Sequence, residues 1–135
     1  MQANAYLNFN GNCEEAFGFY EKAIGAKIEA LGRFGDSPAA NQVPPEWRQK
    51  IMHAWLTVGN TVIMASDAPH DRYEKPKGIW ISLTADSPAQ AESVFHALSE
   101  KGEVGMPIAQ TFFAQRFGMV TDRFGIPWMV MCQNA

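Results

Sequence analysis

His53 is the titratable side chain best placed to do chemistry. It lies in residues 51–66, IMHAWLTVGNTVIMAS, where two apolar-rich runs flank Gly59-Asn60, a pair suited to a tight two-residue turn. With Gly59 and Asn60 as the turn, Val58 faces Thr61, Trp55 faces Met64 and His53 faces Ser66. Strand residues two apart share a face. His53, Trp55, Thr57, Val62, Met64 and Ser66 therefore line one side, and Ala54, Leu56, Val58, Ile63 and Ala65 line the other. The second set reads as plain core. The first mixes imidazole, indole, thioether and hydroxyl groups, as a ligand-facing wall would, although both faces could equally be buried. A neutral imidazole in that wall could act as a base or hydrogen-bond a ligand near neutral pH. A hydrogen-bonded structural histidine fits the same pattern.

Other reactive side chains are less well grouped. Arg116, beside Gln115, could hold an anionic ligand through its planar fork, or form an ion pair at a surface or interface. Cys13 falls in the first turn of an expected helix, where a thiolate is favoured if exposed, but a small capping-region residue with no chemistry fits that position as well. His70 and His96 read as exposed, in a polar linker and on a helix. The chain has no P-loop, no dinucleotide-binding glycine fingerprint and no GxSxG elbow.

The elements that must position these groups follow a repeated order. Residues 2–9 alternate as a first strand, with Ala3, Ala5, Leu7 and Phe9 on one face and Asn4, Tyr6 and Asn8 on the other. Asn12 with Glu15 suggests a capping box for a helix carrying Ala16, Phe17, Tyr20 and Ile24, stopped by Gly25. Residues 26–34 read as a strand, and the proline-bearing residues 35–50 read as a loop before the central hairpin. After the polar linker 67–77 the order repeats. Residues 78–84 form a strand, and Ser87-Pro88-Ala89-Gln90 starts a helix with Ala91, Val94, Phe95 and Leu98 on its buried stripe. A short strand lies between Val104 and Ile108, and residues 115–122 and 126–132 close as a hairpin around Arg123-Phe124-Gly125. The expected architecture is α+β: one domain, 1–135, of two βαβββ modules, 2–67 and 78–132.

Bulk properties exclude several classes. The 135 residues carry a formal charge of −3 with acids and bases interspersed, so there is no basic footprint for nucleic acid. There is no basic-plus-apolar leader and no run of 18 apolar residues, so a soluble cytoplasmic protein with no membrane partner is expected. The two cysteines, Cys13 and Cys132, form neither a disulfide framework nor a CxxC motif. Seven methionines are many for this length, and Met can line a soft cleft or fill core gaps.

The segments FNGNCEEAF (9–17), Phe19-Tyr20, Gly25, HAWL (53–56), MASD (64–67), Met106-Pro107, TFFAQRFG (111–118) and DRFGIPW (122–128) span nearly the whole chain. Together they resemble the vicinal oxygen chelate superfamily, which contains glyoxalase I, bleomycin-resistance proteins, fosfomycin-resistance enzymes and extradiol dioxygenases. Within it the chain looks like the PhnB-like branch. The resemblance implies two βαβββ modules forming an open barrel-like cleft and, in most members, a homodimer. Metal-dependent members hold a divalent ion that stabilises developing negative charge on vicinal oxygens. Others, such as the bleomycin-resistance proteins, bind their ligand without a metal.

Carried onto this chain, the four metal-ligand positions of the glyoxalase-like pattern fall on Ala5, Met64, Trp80 and Met129. None of these is a His or Glu donor for Mg²⁺, Ni²⁺ or Fe²⁺. A protein without that metal and without a cofactor is therefore expected, with a small organic ligand held by His53, Trp55, Met64, Trp80, Arg116 and Met129. The alternatives are a glyoxalase-type lyase or isomerase, working through a metal or through His53, and a structural homodimer whose bulky Met64, Trp80 and Met129 fill the cleft. PhnB-like proteins are often labelled as methyltransferases of ubiquinone synthesis, but no methyl-donor-binding glycine loop is present here.

Overall fold

The computed structural model describes residues 1–69 and 71–134; His70 lies outside the described residues. The chain divides into two compact units, Met1–Glu74 and Lys75–Ala135. Among the described residues each holds one α-helix and one four-stranded sheet, and the first unit adds three short 3-10 turns at Phe34–Asp36, Ala40–Gln42 and Pro45–Trp47.

The first unit runs β1 (Ala5–Phe9), α1 (Cys13–Ile24), β2 (Lys27–Arg33), β3 (Ile51–Val58) and β4 (Thr61–Asp67). Its sheet order is β1-β4-β3-β2, with β1 parallel to β4 and the remaining pairs antiparallel. The β3–β4 hairpin has the register expected from its turn: Val58 opposite Thr61 and Trp55 opposite Met64. Gly59 supplies the positive φ, at 58°, that the tight turn requires. Ala16, Phe17 and Tyr20 of α1 are buried against Phe9, Ala54, Leu56, Ile63 and Ala65, and Phe17 meets Phe9 edge to face at 6.1 Å. Gly25 caps the helix in the left-handed conformation, as expected.

The start of α1 differs from the expected capping box. The Asn12 side chain makes no capping hydrogen bond. The cap comes instead from Asp67 at the end of β4, whose Oδ1 accepts the Cys13 N–H at 2.9 Å. Its Oδ2 accepts the Ile51 N–H at 2.8 Å. Asp67 is paired in register with Phe9, so its buried carboxylate lies beneath the loop that opens the helix. A carboxylate there satisfies an orphan donor and complements the helix dipole.

The second unit runs β5 (Ile81–Thr84), α2 (Pro88–Ser99), β6 (Glu103–Ala109), β7 (Ala114–Thr121) and β8 (Pro127–Gln133), with sheet order β5-β8-β7-β6. Ser87 caps α2 by accepting the Gln90 N–H at 3.1 Å. Ala91, Phe95 and Leu98 are buried with Val120, Trp128 and Val130. Phe95 lies so close to β7 that a Cβ at Gly118 would come 2.7 Å from its Cε2, so this helix approach requires glycine. Asp122 organises the β7–β8 turn: Oδ1 accepts the Phe124 and Ile126 N–H groups, and Oδ2 accepts the Trp128 indole N–H at 2.9 Å. The strand expected over 78–84 begins only at Ile81, which leaves Trp80 just ahead of it.

Candidate functional site

Each sheet has one face covered by its helix and one that is not. On the first sheet the uncovered face is set by register. Tyr6 pairs with Met64, Met64 with Trp55, and Trp55 with Ala30. Asn8 pairs with Ser66, and the Ser66 hydroxyl donates to Asn8 Oδ1 at 3.4 Å. His53 sits between two rings, 6.2 Å from Tyr6 and 5.7 Å from Trp55 between centroids. Tyr6 is 47% exposed and Trp55 38%, values that leave both rings accessible to a ligand. The result is an aromatic row, Tyr6–His53–Trp55, flanked by the Met64 thioether and by the hydroxyl and amide of Ser66 and Asn8. Such a surface offers flat apolar contact with polar groups at its edge.

This register corrects the reading of the first strand. Ala5 pairs with Ile63, on the helix-covered face, and is not a neighbour of Met64. Tyr6 and Asn8, on the opposite face of the strand from Ala5, belong to the uncovered face. The signal was present: Leu7 and Phe9 share the core parity, which leaves Tyr6 and Asn8 on the other side.

On the second sheet Met129 pairs with Ser82 and Met119, on the face away from α2. Trp80 reaches that same face, since its Cη2 would lie 4.0 Å from a Cβ built on Gly105 and Met119 Cβ would lie 3.9 Å from it. Arg116 does not join them. It pairs in register with buried Cys132, and its Nε donates to Glu92 of α2 at 2.8 Å, so its guanidinium faces the helix layer. His96 is exposed on α2, as expected. Structure therefore groups His53, Trp55 and Met64 in the first unit and Trp80 and Met129 in the second, and sets Arg116 apart.

The donor set does not fit the divalent ion of the metal-dependent pattern. With Tyr6 taking the place of Ala5, the four positions present a phenol, two thioethers and an indole. Hard or borderline divalent ions take carboxylate and imidazole ligands in preference to such groups. Among the described residues no three His, Cys, Asp or Glu side chains come together as metal ligands. Cys13 is buried, and burial, with the Asp67 and Glu14 carboxylates beside it, pushes its thiol pKa far up. It is a thiol at neutral pH and no nucleophile.

A pocket of about 490 Å³ at the start of α1 has no counterpart in the sequence reading; Arg33, Lys50, Glu14 and Asp67 line it. Four of its charged side chains have partners. Arg33 donates to both Glu14 oxygens at 3.0 and 2.9 Å, and holds that carboxyl below the usual carboxylate range. Lys50 donates to the Gly11 carbonyl at 2.8 Å, and Asp67 accepts the two backbone N–H groups described above. Glu15 also lines the pocket, so three acidic side chains stand there against two basic ones.

The profile of the glyoxalase/bleomycin resistance protein/dioxygenase superfamily matches residues 3–130. The chain belongs to this superfamily. Protein YjdN of Escherichia coli (strain K12) is 32% identical over 138 residues, covering 96% of this chain and 94% of that protein. The crystal structure of protein PA1353 from Pseudomonas aeruginosa is 51% identical, with a TM-score of 0.90 over 100% of this chain and 99% of that one. A Bacillus cereus structure described as a PhnB protein and a 3-demethylubiquinone-9 3-methyltransferase is 24% identical. Its TM-score is 0.80 over 98% of this chain and 99% of that one, and this likeness shows the shared fold alone. The expected α+β glyoxalase-type fold and the expected superfamily are thus both shown. No helix among the described residues is long and apolar enough to cross a membrane.

Proposed function

We propose that this superfamily member binds a small organic ligand, flat and largely apolar, on the uncovered face of its first sheet, without the divalent ion of the metal-dependent members. The observation that carries the reading is the half-exposed row Tyr6–His53–Trp55 beside Met64. Rings so placed stack on a planar ligand, while His53, Ser66 and Asn8 fix its orientation. We further propose that the protein is a cytoplasmic homodimer. Val104 of edge strand β6 is 45% exposed and Phe112, just beyond that strand, is 96% exposed, and apolar surface of this kind is commonly covered by a partner. Sedimentation as a 15.0 kDa monomer at micromolar concentration would contradict the dimer.

A melting-shift screen of aromatic compounds, run on wild type and on Trp55→Ala, tests the ligand reading. Stabilising compounds are expected, with affinity reduced about tenfold or more in the variant, as for loss of a stacked anchor. A stabilising set unaffected by Trp55→Ala would place binding elsewhere. Elemental mass spectrometry of protein prepared without chelator or metal-affinity tag tests the metal statement. Near-stoichiometric Zn, Ni, Mn or Fe would favour the lyase or isomerase reading instead.

A further inference from the structure

We propose that the uncovered face of the second sheet holds a site for a soft monovalent metal ion, Cu(I) or Ag(I), built from the thioethers of Met106, Met119 and Met129. The proposal does not depend on the ligand reading for the first sheet.

The argument starts from register. Met106 pairs with Met119 on β6–β7, and Met119 pairs with Met129 on β7–β8, so three methionines form one row across three adjacent strands. Side chains directly opposite one another in a sheet have Cβ atoms about 4.5–5.5 Å apart. Methionine has three rotatable bonds and a polarisable sulfur, so neighbouring thioethers at that spacing can turn toward one ion. A register shift between Val104 and Met106 sets both Gly105 and Met106 opposite Met119. Gly105 adds no side chain, and the space over it is bounded by Met119 and by the Trp80 ring. An indole beside the row favours a cation, because its π face is electron-rich. Met106 is 45% exposed, which leaves the row open to solvent on the β6 side.

The chemistry selects the class of ion. Thioethers are neutral, soft donors that do not titrate, and they bind Cu(I) in preference to Mg²⁺, Mn²⁺ or Ca²⁺. The substitution that makes this face unfit for a hard divalent ion thus makes it fit for a soft one. Neither cysteine competes at the row. Cys132 is buried and has the parity of the helix-covered face, and Cys13 is buried in the other unit.

The test is an anaerobic titration of the full chain with Cu(I) supplied as its acetonitrile complex and, in parallel, with Ag(I), both followed through the methionine methyl carbons by NMR. One equivalent should saturate the protein, with methyl shifts at Met106, Met119 and Met129 and quenching of tryptophan fluorescence. Met119→Leu is close to volume-conserving and should weaken binding about tenfold or more. The triple Met106→Leu/Met119→Leu/Met129→Leu variant should not bind, and Met52→Leu and Cys132→Ala should bind as wild type does. Circular dichroism establishes that each variant is folded, and if the triple variant is not, Met119→Leu alone decides. No saturable methyl shift at these three methionines in wild type with either ion, or unchanged binding by Met119→Leu, would overturn the proposal.

Discussion

Replacing Asp67 by Ala tests how the first unit is tied together. One buried carboxylate accepts the Cys13 N–H at the start of α1 and the Ile51 N–H at the start of β3. Removing it leaves two buried backbone donors with no acceptor from this side chain. Each such loss costs roughly 1–3 kcal/mol, and loss of a helix cap falls in the same range, about 0.5–2 kcal/mol. Taking the lower end for the two donors together, Asp67→Ala should cost roughly 2 kcal/mol, a large share of the about 5–15 kcal/mol that holds a domain folded. Asp67→Asn keeps one acceptor oxygen and should cost roughly half as much. Urea unfolding followed by tyrosine and tryptophan fluorescence reads both, provided the denaturant slope is unchanged. A cost below about 0.5 kcal/mol for Asp67→Ala would refute the reasoning, because it would mean water or another group serves both donors.

Gly118→Ala drives a Cβ to 2.7 Å from Phe95 Cε2 and 3.0 Å from Ile108 Cα, so about 1–3 kcal/mol of destabilisation is expected by thermal melting. Cys13 should resist a thiol reagent in the native protein at neutral pH and react once urea unfolds it; fast native labelling would contradict its burial. Arg33 lowers the Glu14 pKa, so the pair is intact above the usual carboxylate range and is lost as pH falls through the lowered value. Both side chains are partly exposed, so the stability change should be small, and carbon-13 NMR should show the Glu14 pKa rising in Arg33→Ala. Trp128→Phe removes the indole donor to Asp122 and should lower stability by about 1–2 kcal/mol, whereas His53→Ala, at a half-exposed position, should leave melting nearly unchanged.

The central hairpin was legible because its information is local. Gly59-Asn60 sets the turn, the turn sets the register, and period-two alternation then assigns Trp55 and Met64 to one face. The α2 cap was legible for the same reason, since Ser87, Pro88 and Gln90 are neighbours. What could not be read depends on pairing between distant segments. Tyr6 joins His53 only because β1 lies parallel to β4, and Arg116 turns away from the open face because β7 pairs Arg116 with Cys132. The α1 cap comes from a residue 54 positions from its donor, so a local capping box at Asn12 was the wrong place to look. The pocket at the start of α1 likewise assembles Arg33, Lys50 and Asp67 from three separate segments.

The most direct test of the account is a nitrogen-15 NMR titration of the protein with indole, 2-naphthoate and anilinonaphthalene sulfonate as aromatic probes. The account expects saturable shifts that centre on the Trp55 indole N–H and the amides of Tyr6, His53 and Met64. Saturable shifts centred on other residues, or none with any of the three probes at millimolar concentration, would contradict an aromatic ligand site on this face.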